Sequence, residues 1–305
     1  MARPNPSVGA IVVNQGQVVG RGWTDPGGRP HAEAVALRMA GESARGATLY
    51  VSLEPCAHQS ERGPACADLV TASGLARVVV GCGDPDPRTA GAGIGRIEGA
   101  GIVVELIESA ACKSSLAGYL TRTALGRPHI TLKLALSQDC FIARPPGESQ
   151  WLTGEPARAH VHAMRARMDA ILVGTGTLTG DNPRLDVRLP GLESRSPQRW
   201  VLTSGLAPDG WLAMASPNGV FAMGGAQYLM VEGGAKTARS FLAAGLVDRL
   251  MLYRAPFILG GGGPMLPELT RIALADGKSG WQLCDQRQLG NDLLDVYERS
   301  PCLQE

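Results

Sequence analysis

Residues 30–66 read PHAEAVALRMAGESARGATLYVSLEPCAHQSERGPAC, and three kinds of segment follow one another within them. Residues 31–39 (HAEAVALRM) have helical composition, and residues 47–53 (ATLYVSL) form a β-branched run that reads as a strand. Residues 64–73 are helical again. Upstream, residues 8–13 and 18–23 flank Asn14-Gln15-Gly16, a hairpin signal. Downstream, a strand at residues 77–81 (RVVVG) ends in the turn Asp84-Pro85-Asp86-Pro87, before a Gly-rich helix and a strand at residues 102–104. Strand–helix alternation of this kind predicts an α/β unit with a mostly parallel sheet covered by helices.

The same stretch carries the chemistry. A catalytic zinc needs three protein ligands and an open fourth position. His31, Cys56 and Cys66 supply such a set, the cysteines as thiolates. Glu33 stands two residues after His31, close enough to take a proton from a water held at the metal and pass it to departing ammonia. A lone His-x-Glu is ordinarily a solvated pair, and a lone cysteine is ordinarily core. Combined with Pro55-Cys56 and a second cysteine, they form the pattern of zinc nucleobase deaminases. Nine residues separate the cysteines, so residues 57–65 must loop out and return, and that loop can line a pocket. His58, within it, reads equally well as a pocket hydrogen-bonder or as an exposed side chain.

At about 150 residues per domain, 305 residues suggest two domains. A helical stretch over residues 108–125 stops at Gly126-Arg127-Pro128, which places the boundary there: residues 1–126 and 127–305. The second half restarts with a strand at residues 130–136 (ITLKLAL). A helix follows to about Arg167, with Thr153 as N-cap and Pro156 in its first turn. Further strands are expected at residues 170–173, 200–203, 228–232, 250–254 and 294–297, with a loop between Ser204 and Gln227. Val173-Gly174-Thr175-Gly176-Thr177 and Glu232-Gly233-Gly234 each follow a strand. Such glycines let backbone amides approach phosphates, although ordinary Gly turns look the same and neither segment is a GxGxxG fingerprint.

A net charge of +1, with eleven acids and eleven bases through Gly126, argues against nucleic acid as a partner. No apolar run reaches the length of a membrane span and no signal segment opens the chain, so a cytoplasmic protein is expected. Seven scattered cysteines favour metal ligands and buried thiols over a disulfide framework.

Several motifs together resemble the bifunctional riboflavin-biosynthesis deaminase/reductase family. They are Pro4-Asn5-Pro6-Ser7-Val8-Gly9, His31-Ala32-Glu33, residues 53–58 (LEPCAH), Gly63-Pro64-Ala65-Cys66, Asp84-Pro85-Asp86-Pro87, Leu132-Lys133-Leu134, residues 147–151 (GESQW), Asp181-Asn182-Pro183 and residues 231–234 (VEGG). The resemblance implies a cytidine-deaminase-like zinc domain followed by a dihydrofolate-reductase-like domain. It implies deamination of 2,5-diamino-6-ribosylamino-4(3H)-pyrimidinone 5′-phosphate, then NADPH reduction of the ribosyl group to ribityl, by a homo-oligomer. By the same resemblance, cofactor contacts fall on Ala135, Trp151, Thr177, Asp181, Ser204 and the run Gly234, Ala235, Lys236, Thr237, Ala238, Arg239 and Ser240. Substrate contacts fall on Asn5, His58, Lys133, Ser149, Arg165, Leu185, Arg188 and Glu232. The competing reading from the residues is a deaminase of another nucleobase fused to a silent nucleotide-binding or oligomerisation domain.

Overall fold

The hairpin at the start of the chain closes on Gln15 and Gly16, both at positive φ (47° and 77°). That pair of conformations belongs to the two-residue turn whose twist matches paired strands. It joins β1 (Gly9–Asn14) to β2 (Gln17–Trp23) in an antiparallel ladder. The protein is described by a computed structural model covering residues 2–143, 151–261, 263–276 and 278–300. Its contacts divide it into one unit ending at Arg127 and another starting at Pro128.

In the first unit β3 (Thr48–Val51), β4 (Arg77–Val80) and β5 (Val103–Leu106) complete a five-stranded sheet, in the order β2-β1-β3-β4-β5, among the described residues. The pairs β3–β4 and β4–β5 are parallel, whereas β1–β2 and β1–β3 are antiparallel. The sheet is therefore mixed rather than mostly parallel, because the two-residue turn can only reverse the chain. Helix α1 (Ala32–Ala40) buries Ala32, Glu33, Ala36 and Ala40, and α2 (Cys66–Ala72) buries Cys66, Ala67 and Val70. Helix α3 (Ala92–Gly99) contributes Ile97 to a core that includes Val12, Leu49, Val78 and Val80. The single helix expected over residues 108–125 is two: α4 (Ala110–Ser115) and α5 (Ala117–Leu125). Leu116, buried in the core, leaves helical geometry between them.

The second unit is built on β6 (His129–Leu136), whose burial is continuous except at the half-buried Lys133 and Ala135, two apart on one face. Its parallel neighbours are β10 (Tyr228–Val231) and β11 (Arg249–Arg254). Beyond β10 lie β7 (Ala170–Gly174), β8 (Gln198–Leu202) and β9 (Leu212–Met214), all parallel. Beyond β11 lie β13 (Asp292–Arg299) and β12 (Trp281–Leu289), each antiparallel to the strand before it. Helix α6 (Glu155–Arg165) starts from Gly154, without a side-chain cap, so Thr153 is not the N-cap. The Gly154 N–H instead donates to Asp292 Oδ2 at 2.7 Å. Helices α7 (Thr175–Asp181), α8 (Ala235–Ala243) and α9 (Arg271–Ala275) follow β7, β10 and β11 in turn. The expected loop from Ser204 to Gln227 contains β9 and a 3-10 turn at Pro217–Ala222, anchored by the buried Met214 and Val220.

Candidate active sites

His31 ends the approach to α1 in extended conformation, and Glu33 lies in that helix's first turn. Cys66 opens α2, and Cys56 follows shortly after β3. One donor atom from each of His31, Cys56 and Cys66 falls within 4.8 Å of the others, a group suited to one metal ion. The Nδ1 of His31 lies 3.2 Å from Cys66 Sγ and 3.6 Å from Cys56 Sγ. Its Nε2 lies 3.2 Å from Asn5 Nδ2, so Asn5 holds the ring from behind while Nδ1 faces the thiols. Asn5 also donates to Gly28 O at 2.9 Å. Gly28 has φ +87°, and a Cβ there would sit 2.6 Å from Asn5 Cγ, so only glycine permits this approach.

The two thiols share one hydrogen-bonded proton. The bond with Cys66 lowers Cys56 to about 4, and the same bond with burial pushes Cys66 up. A thiolate beside an imidazole, with a second thiol that gives up its proton only when a cation binds, is a donor set zinc takes. Burial raises Glu33 to about 7. Its Oε2 is buried without a hydrogen-bond partner among the described residues, on a wall it shares with His31 and Cys56. That wall bounds a cavity of about 320 Å³.

The rest of this cavity was only partly legible. His58 lines it, with Nδ1 3.5 Å from Thr89 Oγ1. Asp84 and Asp86 come from the Asp-Pro-Asp-Pro turn, whose residues the sequence marks but whose direction it does not. Asp84 accepts from Tyr119 Oη at 2.8 Å and is raised by burial. The turn is held by Glu54, whose buried carboxylate accepts from the N–H groups of Asp84, Gly91, Gly93 and Ile94. Arg29, Arg62 and Arg88 also line the cavity, and no motif announces them.

In the second unit Lys133, Arg165 and Glu232, three of the residues the family resemblance implies for substrate, converge. Glu232 stands one residue past β10, beside Lys133 because Val231 pairs with Leu132. Arg165, the last residue of α6, meets it with two parallel bonds: Nε to Oε1 at 2.7 Å and Nη2 to Oε2 at 2.8 Å. Lys133 Nζ lies 3.7 Å from Oε2. Burial would raise Glu232, but Lys133 and Arg165 prevail and hold it at about 2. Arg165 also donates to Asp186 O at 3.2 Å, and Arg188 reaches Asp186 Oδ1 at 3.4 Å. Leu185 is buried beside them at φ 54°. Tyr253, unflagged in the sequence, lies under Lys133 Nζ (5.8 Å to its ring centroid) and meets His160 Nδ1 at 2.8 Å.

The residues expected to hold a cofactor divide into two groups. Gly174 and Gly234 stand at the N-termini of α7 and α8, which leave adjacent parallel strands and carry no side-chain cap. Two open helix starts side by side at the carboxyl edge of a sheet are suited to phosphate groups. Thr177 Oγ1 lies 3.7 Å from where a Cβ on Gly234 would stand. Asp181 and Ser204 are exposed at the ends of α7 and β8, and Ala135 lies on the Lys133 face of β6. Lys236 is exposed, Ser240 Oγ donates to Thr237 O, and Arg239 is engaged with Glu268 and Met265 O. Ala235, Thr237 and Ala238 are buried. Trp151 is exposed under Arg158, 5.3 Å from guanidinium to ring. Ser149 lies outside the described residues.

Comparison with known proteins matches both units. Residues 1–82 fit the cytidine and deoxycytidylate deaminase zinc-binding region, and residues 128–214 and 221–294 fit the RibD C-terminal domain. The chain is 36% identical to the riboflavin biosynthesis protein RibD of Haemophilus influenzae, over 96% of this chain and 91% of that one. It is 38% identical to RibD of Escherichia coli over 88% of each. Among solved structures, Acinetobacter baumannii RibD matches with a TM-score of 0.83 at 31% identity, over 98% of this chain and 93% of that one. The diaminohydroxyphosphoribosylaminopyrimidine deaminase/5-amino-6-(5-phosphoribosylamino)uracil reductase of Thermotoga maritima matches with a TM-score of 0.83 at 29% identity and the same coverage.

Proposed function

Because the chain belongs to the RibD family, the bifunctional deaminase/reductases of riboflavin biosynthesis, we propose that residues 1–126 deaminate and residues 127–305 reduce. The fold is a cytidine-deaminase-type zinc domain followed by a dihydrofolate-reductase-like domain, the substrate is a small phosphorylated pyrimidine, and the cofactors are zinc and NADPH.

The observation that carries the first half is the triangle of His31, Cys56 and Cys66 beside the unpartnered Glu33 Oε2. Those three residues would hold zinc, which when bound makes a water nucleophilic at neutral pH. Glu33 accepts the water's proton at Oε2 as the water oxygen bonds to the amino-bearing ring carbon. It then delivers that proton to the amino nitrogen, the C–N bond breaks and ammonia leaves; the water's second proton passes to the adjacent ring nitrogen, so a ring carbonyl beside a ring N–H remains. A carboxyl near 7 can do both jobs at neutral pH. Asn5 keeps the His31 ring in place.

In the second half the starts of α7 and α8 would hold the phosphates of NADPH, which when bound supplies a hydride for the ribosyl carbon. Lys133, held by Glu232, would give a proton to the ring oxygen as that carbon is reduced and the sugar opens. Asp181 and Ser204 would meet the cofactor's polar groups, and Arg165 and Arg188 would orient the substrate.

Two further elements belong to the same proposal. The even balance of acids and bases before residue 127 weighs against a nucleic-acid ligand. No helix among the described residues is long and apolar enough to cross a membrane, and we infer a cytoplasmic homo-oligomer. The test is Glu33→Gln, which should retain zinc, lose deamination and still oxidise NADPH when given deaminated substrate. Near wild-type deamination by that variant would refute the proton-transfer role.

A further inference from the structure

Two neighbours of the Lys133 ammonium are held by one helix. Arg165, the last residue of α6, grips the Glu232 carboxylate, whose Oε2 lies 3.7 Å from Lys133 Nζ. Five residues earlier in the same helix, His160 Nδ1 lies 2.8 Å from Tyr253 Oη. The Tyr253 ring in turn lies under Lys133 Nζ, 5.8 Å from its centroid. Strand register accounts for this placement. Lys133 pairs with Met251 and Ala135 with Tyr253, so Tyr253 and Lys133 are diagonal neighbours on one face of the sheet. Ala157 and Val161 of α6 pack with Met251, Tyr253 and Leu294, which seats the helix on that face. Neither His160 nor Tyr253 has a part in the chemistry above, and neither is among the residues the family resemblance implies.

Tyr253 is fully buried, and a buried phenol needs a partner for its hydroxyl. Burial, and then Glu232, push its ionisation up, so the hydroxyl keeps its proton. Burial, and then Arg287, lower His160, so its imidazole is neutral at neutral pH and Nδ1 accepts. A phenol that donates in this way is polarised, with more electron density left on oxygen and ring. An ammonium within about 6 Å of an aromatic centroid is attracted by the negative face of the ring, more strongly where water is scarce. Glu232 alone would fix the ammonium at one point, and a flexible four-carbon stem would leave its direction open. A second contact removes that freedom before substrate arrives. We propose that Tyr253, tethered by His160, is a positioning residue for reduction, its ring face holding the Lys133 ammonium in place together with Glu232. The proposal rests on the reading of Lys133 as the proton donor. A tyrosine that only filled the core would be replaced equally well by any ring of its shape.

The experiment reads the amine itself. Zinc-loaded full-length protein, without substrate or NADPH, is treated with acetic anhydride, and acylation of Lys133 is followed by peptide mass spectrometry with Lys113 of the first unit as internal reference. A held ammonium acylates slowly, so a weaker hold speeds the reaction. Tyr253→Phe is compared with Tyr253→3,4,5-trifluorophenylalanine, which has nearly the same shape but little negative charge on its face. Lys133 should acylate about threefold or more faster in the trifluoro variant than in Tyr253→Phe. Tyr253→Phe and His160→Leu should each speed acylation by a smaller factor, and the double variant no further than either, because both break the same bond. In turnover, Tyr253→Leu should lower kcat for NADPH oxidation with deaminated substrate about tenfold at nearly unchanged KM, while ammonia release keeps its rate. Equal acylation in the Phe and trifluoro variants would overturn the proposal, showing that the ring only fills the core. Summed effects in the double variant would overturn the tether. Lys133→Met separates these outcomes from the reading beneath them: it should abolish NADPH oxidation, and oxidation at the wild-type rate would overturn that reading and the proposal with it.

Discussion

In the first unit three metal-capable atoms crowd within 4.8 Å, and the carboxylate oxygen beside them is buried with nothing to bond among the described residues. In the second unit Glu232 is buried too, yet both its oxygens are taken by Arg165 and Lys133 stands 3.7 Å away. Both sites bury charge, but one leaves a carboxylate oxygen, Glu33 Oε2, unpartnered among the described residues and the other satisfies its carboxylate internally. A buried carboxylate oxygen with no partner is costly unless a ligand completes it, so it marks where something is expected to bind. A carboxylate held at about 2 by a lysine and an arginine marks a charge fixed in place before substrate arrives, which is what hydride transfer needs.

That contrast can be broken most severely at Glu33. Its replacement by Gln should cut deamination by about 10²–10⁴-fold, the usual yield of a positioned proton carrier, at unchanged zinc content. Assaying ammonia release beside metal analysis separates loss of proton transfer from loss of metal.

A different signature is expected at Glu232. Glu232→Gln leaves the half-buried Arg165 without its counter-charge, and removing one partner of a buried pair typically costs about 3–5 kcal/mol. The urea midpoint of the second unit should fall together with NADPH oxidation, while ammonia release continues. Asp181→Ala, at an exposed position, should lose NADPH oxidation with no change in that midpoint. A fall in stability at Asp181 or none at Glu232 would erase the distinction between a prepaired and an open site.

The smallest effect is expected at Asn5, which touches His31 from the side away from the thiols. Asn5→Ala should weaken zinc binding by about 10–100-fold, measured by competition against a chelator, because second-layer partners orient ligands without bonding the metal. Unchanged affinity would show that the ring needs no such support.

How much of each site the sequence revealed follows from the same contrast. His31, Glu33, Cys56 and Cys66 lie within 36 residues and are residue types that seldom fall into this pattern except around a metal. The Lys133, Arg165 and Glu232 group spans a hundred positions, and a Lys, an Arg and a Glu are each ordinary surface residues until the strand register joins them. Only the family resemblance brought them forward. Arg29 and Arg62 stayed hidden because their direction depends on how two loops close over each other. Among the elements, β12 escaped notice because WQLCDQRQL is mostly exposed along an edge, with no apolar alternation to read. The α4–α5 break was hidden because Leu116 is a good helix former held out of helix by burial in the core. Gly154 displaced Thr153 as the start of α6 because Asp292, far along the chain, accepts its N–H.

The separateness of the two sites is tested most directly by stripping zinc from the intact protein and following both reactions in the same sample. Ammonia release should fall to background and return when zinc is restored, while NADPH oxidation with deaminated substrate stays at its starting rate throughout. Parallel loss and recovery of both activities would contradict two sites that work through different residues.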